Sequence, residues 1–169
     1  MSGAPLVVLV GPPGAGKTTV GAAVARRLGV TMRDTDSDIE RVTGKEVSAI
    51  FVDDGEPRFR TLEREAVCAA LDEHRGVVAL GGGAVTDPQT REQLHGHTVV
   101  FLDVSLTEAA RRVGLGTARP LLLGNVRAQL KRLLDERRPF YTEVATLTVD
   151  TSGRTPEDVA DEITRAVGR

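Results

Sequence analysis

The residues best suited to chemistry lie near the start of the chain, in the phosphate-binding pattern Gly11-x-x-x-x-Gly16-Lys17-Thr18. Its glycines let the backbone approach phosphate oxygens, and the loop amides and the next helix N-terminus present partial positive charge there. Lys17 can bridge the β- and γ-phosphates of a nucleotide, and the hydroxyl of Thr18 can bind Mg²⁺. Because an apolar run precedes the pattern and an amphipathic helix follows it, we expect a polyphosphate site and not a plain turn.

Two acidic residues, Asp34 and Asp36, follow a short apolar segment that can form a second strand. In an extended chain their side chains point to different sides, so one can serve a metal and the other a substrate hydroxyl. The alternative is that one of them caps a helix beginning near Ser37. The residue types alone leave these roles open.

Two glycine-rich segments are candidates for ligand contact. Gly81–Gly83 cost backbone entropy that a ligand lying against the main chain would justify, although a flexible loop is the alternative. In the second segment, glycines at 114, 116 and 124 bracket Arg119, which is typical of a hinged loop that swings a cation. A solvated surface loop is the alternative there.

Three further charged residues are weaker candidates for a functional role. Asp103 ends a fourth apolar run and can bind a metal, but Asp34 and Asp36 compete for that role. Arg60 and Glu63 stand three apart on a predicted helix, so they can pair. Such pairs usually lie on a solvated face and contribute little to stability.

Apolar runs alternate with helical spacing along the chain. We expect strands at Leu6–Val10, Val30–Met32, Val77–Leu80, Thr98–Leu102 and Thr146–Thr151. We expect helices after the phosphate loop (ending at Gly29), over Asp38–Phe51 with a break at Thr43–Gly44, and over Glu56–Leu71, Thr107–Val113 and Val126–Arg137, with a last one capped by Thr155. Pro139 should close the fifth of these helices. The alternation predicts an α/β fold of the P-loop NTPase type, a parallel sheet with helices on both faces.

The expected apolar stripe of the helix Glu56–Leu71 consists of Phe59, Leu62, Ala66 and Ala69. Cys68, the only cysteine, is expected to be a small buried residue on this helix. A single cysteine excludes an intrachain disulfide and fits a reducing compartment.

The length of 169 residues and a net charge of −2 bound the remaining possibilities. One domain spanning residues 1–169 is expected, and no broad attraction to nucleic acid or to an anionic membrane. The N-terminal apolar run ends in the phosphate loop, so we interpret it as a core strand and not a signal peptide. No apolar stretch approaches membrane-spanning length, and the expected location is the cytoplasm.

Taken in order, these motifs resemble the shikimate kinase family. The resemblance extends from about Leu6 to Arg154 and rests on GxxGxGKTT, DTD, IFxxxGExxFRxxE, LGGGAV and TxRPLL, at residues 11–19, 34–36, 50–63, 80–85 and 117–122. It implies phosphorylation of the 3-hydroxyl of shikimate by ATP and Mg²⁺, in aromatic amino acid biosynthesis. It also implies a nucleoside-monophosphate-kinase-like, three-layer sandwich with strand order 2-3-1-4-5, an acceptor segment near 34–63, and a mobile lid near 114–125. The protein is expected to be a monomer.

The resemblance implies nucleotide contacts from the phosphate loop and three arginines: Gly14, Ala15, Gly16, Lys17, Thr18, Thr19, Arg112, Arg119 and Arg154. It implies shikimate contacts from Asp36, Phe51, Phe59, Arg60, Glu63, Gly81, Gly82, Gly83 and Arg137. Lys17, Asp36 and Arg119 are the implied catalytic residues, and Thr18 and Asp34 the implied metal ligands.

Within these sets the resemblance implies particular roles. Asp36 holds substrate hydroxyls and is the candidate base, while Arg60 and Arg137 clamp the carboxylate. Phe51 and Phe59 are apolar walls of the acceptor pocket, and Glu63 orients Arg60. Arg112 and Arg154 flank adenine, and Arg119 reaches the phosphates from the lid.

Two points stay open. One residue fewer than in the family pattern separates the lid from Pro139, so Arg138 is an alternative to Arg137. The rival functions are a related small-metabolite kinase such as a gluconate kinase, a nucleoside monophosphate kinase, and a nucleotide-binding module without catalysis.

Overall fold

A five-stranded parallel sheet lies at the centre of the computed structural model, which describes residues 4–114 and 123–168. Its strands are β1 Val7–Val10, β2 Met32–Asp34, β3 Val77–Ala79, β4 Val99–Asp103 and β5 Leu147–Asp150. Their spatial order is β2-β3-β1-β4-β5, which confirms the predicted order.

Eight helices connect and cover these strands in the part of the chain that is described. They are α1 Lys17–Leu28, α2 Thr35–Thr43, α3 Val47–Asp54, α4 Glu56–Glu73, α5 Pro88–Gln93, α6 Leu106–Gly114, α7 Leu123–Val144 and α8 Pro156–Val167. A 3₁₀ turn, Ala84–Thr86, follows β3. Gly29 caps α1 in the left-handed region and the Thr155 side chain caps α8, as predicted. No described helix is long and apolar enough to cross a membrane.

Strand β1 occupies the middle of the sheet and is apolar throughout because both of its faces are covered. Val7 and Leu9 pack into one core cluster with α1 and α8, and Val8 and Val10 into a second with α4 and α7. Its parallel pairing with both β3 and β4 brings the carboxyl ends of three strands to one edge. Ligands in open α/β sheets bind at that edge.

Helix α7 continues through Pro139 to Val144, so the predicted end before Pro139 is wrong. Proline cannot donate to the carbonyl four residues earlier, which costs about 3 kcal/mol in a helix interior. The continuing helix buries Tyr141 completely and packs Phe140 against the second core cluster. Each such burial contributes about 1.5 to 3 kcal/mol, which offsets the lost bond.

Helix α4 buries a different stripe from the predicted one, and Cys68 is exposed, so its predicted burial is wrong. Phe59 is buried as expected, but Glu63 and Val67, at four-residue spacing, continue the buried stripe in place of Leu62 and Ala66. Cys68 follows Val67 directly and therefore points about 100° away from the core.

We predict that Pro139→Ala raises the free energy of unfolding by about 2 kcal/mol, since the new amide can complete the helix at an exposed position. Urea denaturation measures the change. Thr142→Ala, also exposed on α7, is the matched control because it alters helix propensity by less than about 0.7 kcal/mol. A Pro139→Ala protein no more stable than the control would contradict the prediction.

Candidate active site

The phosphate loop has the backbone that its glycines predict. Gly14 and Gly16 adopt φ of 84° and 88°, where a β-carbon is unfavourable. The ammonium of Lys17 donates to the carbonyls of Gly11 at 2.8 Å and Pro12 at 3.1 Å. Burial lowers the pKa of Lys17 to about 8, against the opposing effect of two aspartates. Lys17 is therefore held beside the loop, where an anion would favour its charged form.

Two cavities open on either side of the phosphate loop and share Gly16 and Thr19. The first, of about 300 Å³, lies towards α6 and α8, and its lining also includes Ala15, Glu108, Arg111, Arg112, Thr151, Arg154 and Pro156. The second, of about 400 Å³, extends to the ends of β2 and β3 and is lined by Gly14, Lys17, Thr18, Asp34, Asp36, Gly81 and Gly82, among others. The loop can therefore contact a different group on each side.

Arg112 and Arg154 both line the first cavity. Arg112 donates to the Gly14 carbonyl at 2.9 Å and to the Thr151 carbonyl at 2.8 Å, which ties the phosphate loop to the end of β5. Arg154 pairs with Glu162 at 2.8 Å. The structure thus places both arginines beside the phosphate loop, and their contact with adenine stays a prediction.

Asp34 caps α2, which is the alternative that the sequence offered beside a metal role, and its second oxygen faces the phosphate loop. One carboxylate oxygen caps α2 by accepting from the amides of Asp36 at 2.9 Å and Ser37 at 3.3 Å. The other oxygen accepts from the hydroxyl of Thr18 at 3.2 Å. Helix capping therefore fixes the carboxylate in a position that also faces the phosphate loop.

Thr18 and Asp34 offer the hard oxygen donors that Mg²⁺ prefers. No group of three or more His, Cys, Asp or Glu that could hold a metal occurs within the described ranges. Mg²⁺ commonly takes one or two protein ligands and fills its shell with phosphate oxygens and water. The residues present fit that mode of binding and not an all-protein cage.

Asp36 has a buried oxygen, Oδ1, for which the described residues provide no hydrogen-bond donor. Burial raises the pKa of Asp36, the neighbouring Asp34 raises it further, and Lys17 opposes both. A buried acceptor with a raised pKa is suited to receive a proton from a hydroxyl. Since Asp36 lines the second cavity, this chemistry is available beside the phosphate loop.

Arg60 and Glu63 form a buried ion pair at 2.7 Å, so the expectation of a solvated face is wrong. Glu63 is only 2% exposed because it continues the buried stripe of α4. Burial raises the pKa of Glu63, and Arg60 opposes that shift. The guanidinium of Arg60 also lies over the rings of Phe51 and Phe59, 5.9 and 5.4 Å from their centroids.

We call Gly81–Gly83 the glycine loop. A β-carbon on Gly81 would lie 2.7 Å from a carboxylate oxygen of Asp36, and one on Gly83 would lie 2.6 Å from both terminal nitrogens of Arg60. None of the three glycines has a positive φ. Gly81 and Gly83 are therefore needed because charged side chains of the protein itself fill that space, a reason that composition did not reveal.

Arg137 and Arg138 point to different partners. The Arg137 guanidinium lies 3.5 Å from where a β-carbon of Gly82 would be. Arg138 pairs with Asp103 at 2.6 Å, and Asp103 also accepts from the amide of Val104 at 2.8 Å. This geometry places Arg137, and not Arg138, beside the glycine loop, and it gives Asp103 a partner of its own.

Sequence reasoning missed Tyr141, whose hydroxyl donates to the Gly82 carbonyl at 2.5 Å. It lies beyond the proline at which the helix was expected to end, so no helical spacing connected it with Arg137. Arg119 and most of the predicted lid, residues 115–122, lie outside the described residues.

A sequence model of the family described as shikimate kinase matches residues 13–168. The chain belongs to the shikimate kinase family. Shikimate kinase from Thermobifida fusca (strain YX) is 63% identical over 165 residues, which cover 98% of this chain and 96% of that protein. The family model and this relative both support the family resemblance that the motifs indicated.

Solved structures add to this. Shikimate kinase from Acinetobacter baumannii in complex with shikimate matches with a TM-score of 0.88 and 39% identity, covering 95% of this chain and 91% of that one. A gluconokinase from Sinorhizobium meliloti matches with a TM-score of 0.60 at 20% identity, covering 100% of this chain and 94% of that one. At that identity the gluconokinase shares the fold alone.

We predict that Arg60→Met lowers the free energy of unfolding by about 3 kcal/mol at pH 7, because it leaves a buried carboxylate without its partner. Without Arg60, burial and the charge of Asp36 raise the pKa of Glu63 further above its ordinary value of 4.5, and only Arg137 opposes them. The folded protein then keeps a proton that the unfolded chain releases, so stability falls as the pH rises above that value.

Urea denaturation of this variant at pH 5 and pH 7 measures the effect. The control is Arg60→Met combined with Glu63→Gln, which has no carboxylate at 63 and should lose the added pH dependence. An equal loss of stability at both pH values in the single variant would show that Glu63 is not the responsible group.

Proposed function

We propose that the chain transfers the γ-phosphoryl group of ATP to the 3-hydroxyl of shikimate, giving shikimate 3-phosphate for aromatic amino acid biosynthesis. Membership of the shikimate kinase family supports the reaction. The observation that carries the mechanism is the unpartnered, buried oxygen of Asp36 in a cavity that the phosphate loop also lines. It offers a base next to a polyphosphate site.

On the nucleotide side, the loop amides and Lys17 hold the phosphates of ATP. Negative charge from the phosphates raises the pKa of Lys17 above its value of about 8, so the side chain binds as the ammonium. Thr18 and Asp34 hold Mg²⁺, which when bound neutralises phosphate charge. The base of the nucleotide lies in the first cavity, between Arg112 and Arg154.

On the acceptor side, Asp36 orients the 3-hydroxyl and accepts its proton as the oxygen attacks the γ-phosphorus. The bond from that phosphorus to the β–γ bridging oxygen breaks, and ADP leaves with the electron pair. The raised pKa of Asp36 makes it a stronger base than an ordinary aspartate. Most of the rate enhancement in such a transfer comes from positioning and charge neutralisation.

The carboxylate of shikimate is held by Arg60 and Arg137, whose guanidinium groups both reach the glycine loop. Each guanidinium can bind a planar carboxylate through two parallel hydrogen bonds. Glu63 holds Arg60 in place. Phe51 and Phe59, with ring centroids 4.6 Å apart, form an apolar wall behind it.

Several parts of the proposal rest on the family pattern. By that pattern residues 34–63 are the acceptor-binding segment, and residues 114–125, most of which lie outside the described residues, are the lid that carries Arg119 to the transferring phosphoryl group. The enzyme works as a single-domain monomer in the cytoplasm, without nucleic acid or membrane partners.

We predict that shikimate alone stimulates ADP release strongly in a panel with gluconate and nucleoside monophosphates, in the presence of ATP and Mg²⁺. Two arginines beside the glycine loop suit a carboxylate, which nucleoside monophosphates lack. Gluconate also has a carboxylate, so the preference for shikimate over gluconate rests on membership of the shikimate kinase family. A nucleotide acceptor calls for aromatic stacking, and the chain has no Trp, four Phe and only Tyr141, which is buried. Equal turnover with gluconate or a nucleotide would overturn the proposed function.

We predict that Asp36→Asn and Asp34→Asn fail in different ways. Asp36→Asn should weaken shikimate binding and lower kcat by about 10² to 10⁴, because an amide cannot accept the proton. Asp34→Asn should raise the Mg²⁺ concentration needed for half-maximal rate and leave shikimate binding without nucleotide nearly unchanged. Calorimetric titration with shikimate and rates over a Mg²⁺ series separate the two, and the reverse pattern would exchange their roles.

A further inference from the structure

We propose that Tyr141 is a positioning residue for the acceptor: its hydroxyl fixes the glycine loop and Arg137 in the arrangement that receives the carboxylate. This inference rests on the proposed function for the identity of the acceptor. The contacts from which it is argued lie within the protein and involve no ligand.

The Tyr141 hydroxyl is a polar group in a buried site. The side chain is fully buried, and its ring stacks on Phe101 with centroids 5.0 Å apart and planes at 27°. A phenylalanine would supply the same packing without a polar atom to satisfy. The hydroxyl is costly in such a place unless it is bonded, and it donates to the Gly82 carbonyl at 2.5 Å.

The glycine loop needs an external contact of this kind. The Gly81 carbonyl accepts from the Ala84 amide at 3.1 Å, and the Gly83 carbonyl accepts from the Thr86 hydroxyl at 2.7 Å. Both donors belong to the turn that follows the loop. The Gly82 carbonyl instead bonds to Tyr141 on α7, a different element. Because glycine has the greatest backbone freedom, this bond restricts a segment that has no side chains to hold it.

The bond also sets the direction of an amide. In a trans peptide the carbonyl of Gly82 and the N–H of Gly83 point in opposite directions. With the carbonyl turned towards Tyr141, the Gly83 amide is turned away from Tyr141. A rotation of this peptide unit would move the backbone that touches Arg60, whose guanidinium already fills the space beside Gly83.

Tyr141 also acts on Arg137, which lies one helical turn earlier on α7 and therefore on the same face. Burial raises the pKa of Tyr141 to about 12, although the hydrogen bond and charge of Arg137 oppose that shift. The phenol is therefore neutral at physiological pH, and it can donate to Gly82 while its oxygen accepts from Arg137. The hydroxyl thus bonds to the loop and lies within the electrostatic reach of Arg137, the second arginine of the carboxylate clamp.

The test is Tyr141→Phe in the full-length protein, which keeps the ring and removes the oxygen. We expect the KM for shikimate to rise about three- to tenfold, the worth of one hydrogen bond. The KM for ATP and kcat should stay within twofold. The carboxylate of shikimate is remote from the transferring phosphoryl group, so a weaker contact with it reduces the binding of the substrate and of the transition state equally.

Thr146→Val is the matched control. The Thr146 hydroxyl donates to the His97 carbonyl at 3.2 Å and accepts from the Val99 amide at 3.0 Å, at the opposite end of β4. This variant removes a hydroxyl that joins two elements without touching the glycine loop. It should lower stability while both KM values stay unchanged. Urea denaturation of both variants provides the comparison.

A second readout does not depend on the reaction. Amide hydrogen exchange of residues 81–84, followed without ligand, should be at least about threefold faster in Tyr141→Phe than in the wild type, and unchanged in Thr146→Val. If the wild type does not phosphorylate shikimate, the proposed function fails while this readout still decides the role of Tyr141. Unchanged exchange, an unchanged shikimate KM, or an equal rise in both KM values would overturn the inference.

Discussion

The acceptor side of the site depends on the absence of β-carbons at Gly81 and Gly83. A carboxylate oxygen of Asp36 and the terminal nitrogens of Arg60 lie less than 3 Å from the positions those atoms would take. The glycine loop therefore leaves space for two groups of opposite charge. Parallel pairing of β1 with β3 holds the glycine loop next to the phosphate loop. A side chain at either position would displace a charged group and separate the acceptor from the phosphates.

Much of the fold was predictable because its signals are local. The uninterrupted apolar run of β1 and the glycines before Lys17 each act within a few residues, so strand, loop and helix followed from the sequence. The same holds for the Thr155 cap of α8. The order of the strands is not local, and it came from the resemblance of the motifs to a family. Asp34 was open between capping and metal binding because one carboxylate has two oxygens; one oxygen caps α2 and the other accepts from Thr18 beside the phosphate loop.

The errors have a common physical cause, which is packing by residues distant in sequence. Glu63 is a charged residue on a buried stripe, and only the approach of Arg60 and the glycine loop makes that burial tolerable. Because the buried stripe of α4 differs from the predicted one, Cys68 lies outside it and is exposed. Burial of Tyr141 against Phe101 carries α7 through Pro139, although helix propensity alone would end it there. The spacing of Arg60 and Glu63 indicated that they can pair, but the packing of the glycine loop and of Phe101 leaves no pattern in a single sequence.

The place of β1 in the sheet has a consequence for biosynthesis. It leaves the ribosome before the other four strands of the sheet, and its neighbours β3 and β4 end only at Ala79 and Asp103. A growing chain therefore carries an unpaired apolar strand until β3 and β4 have been made, the state in which strands associate with other chains. A fragment that ends before β4 contains every residue of the phosphate-binding pattern, but one edge of β1, the strand that leads into the pattern, has no partner in it.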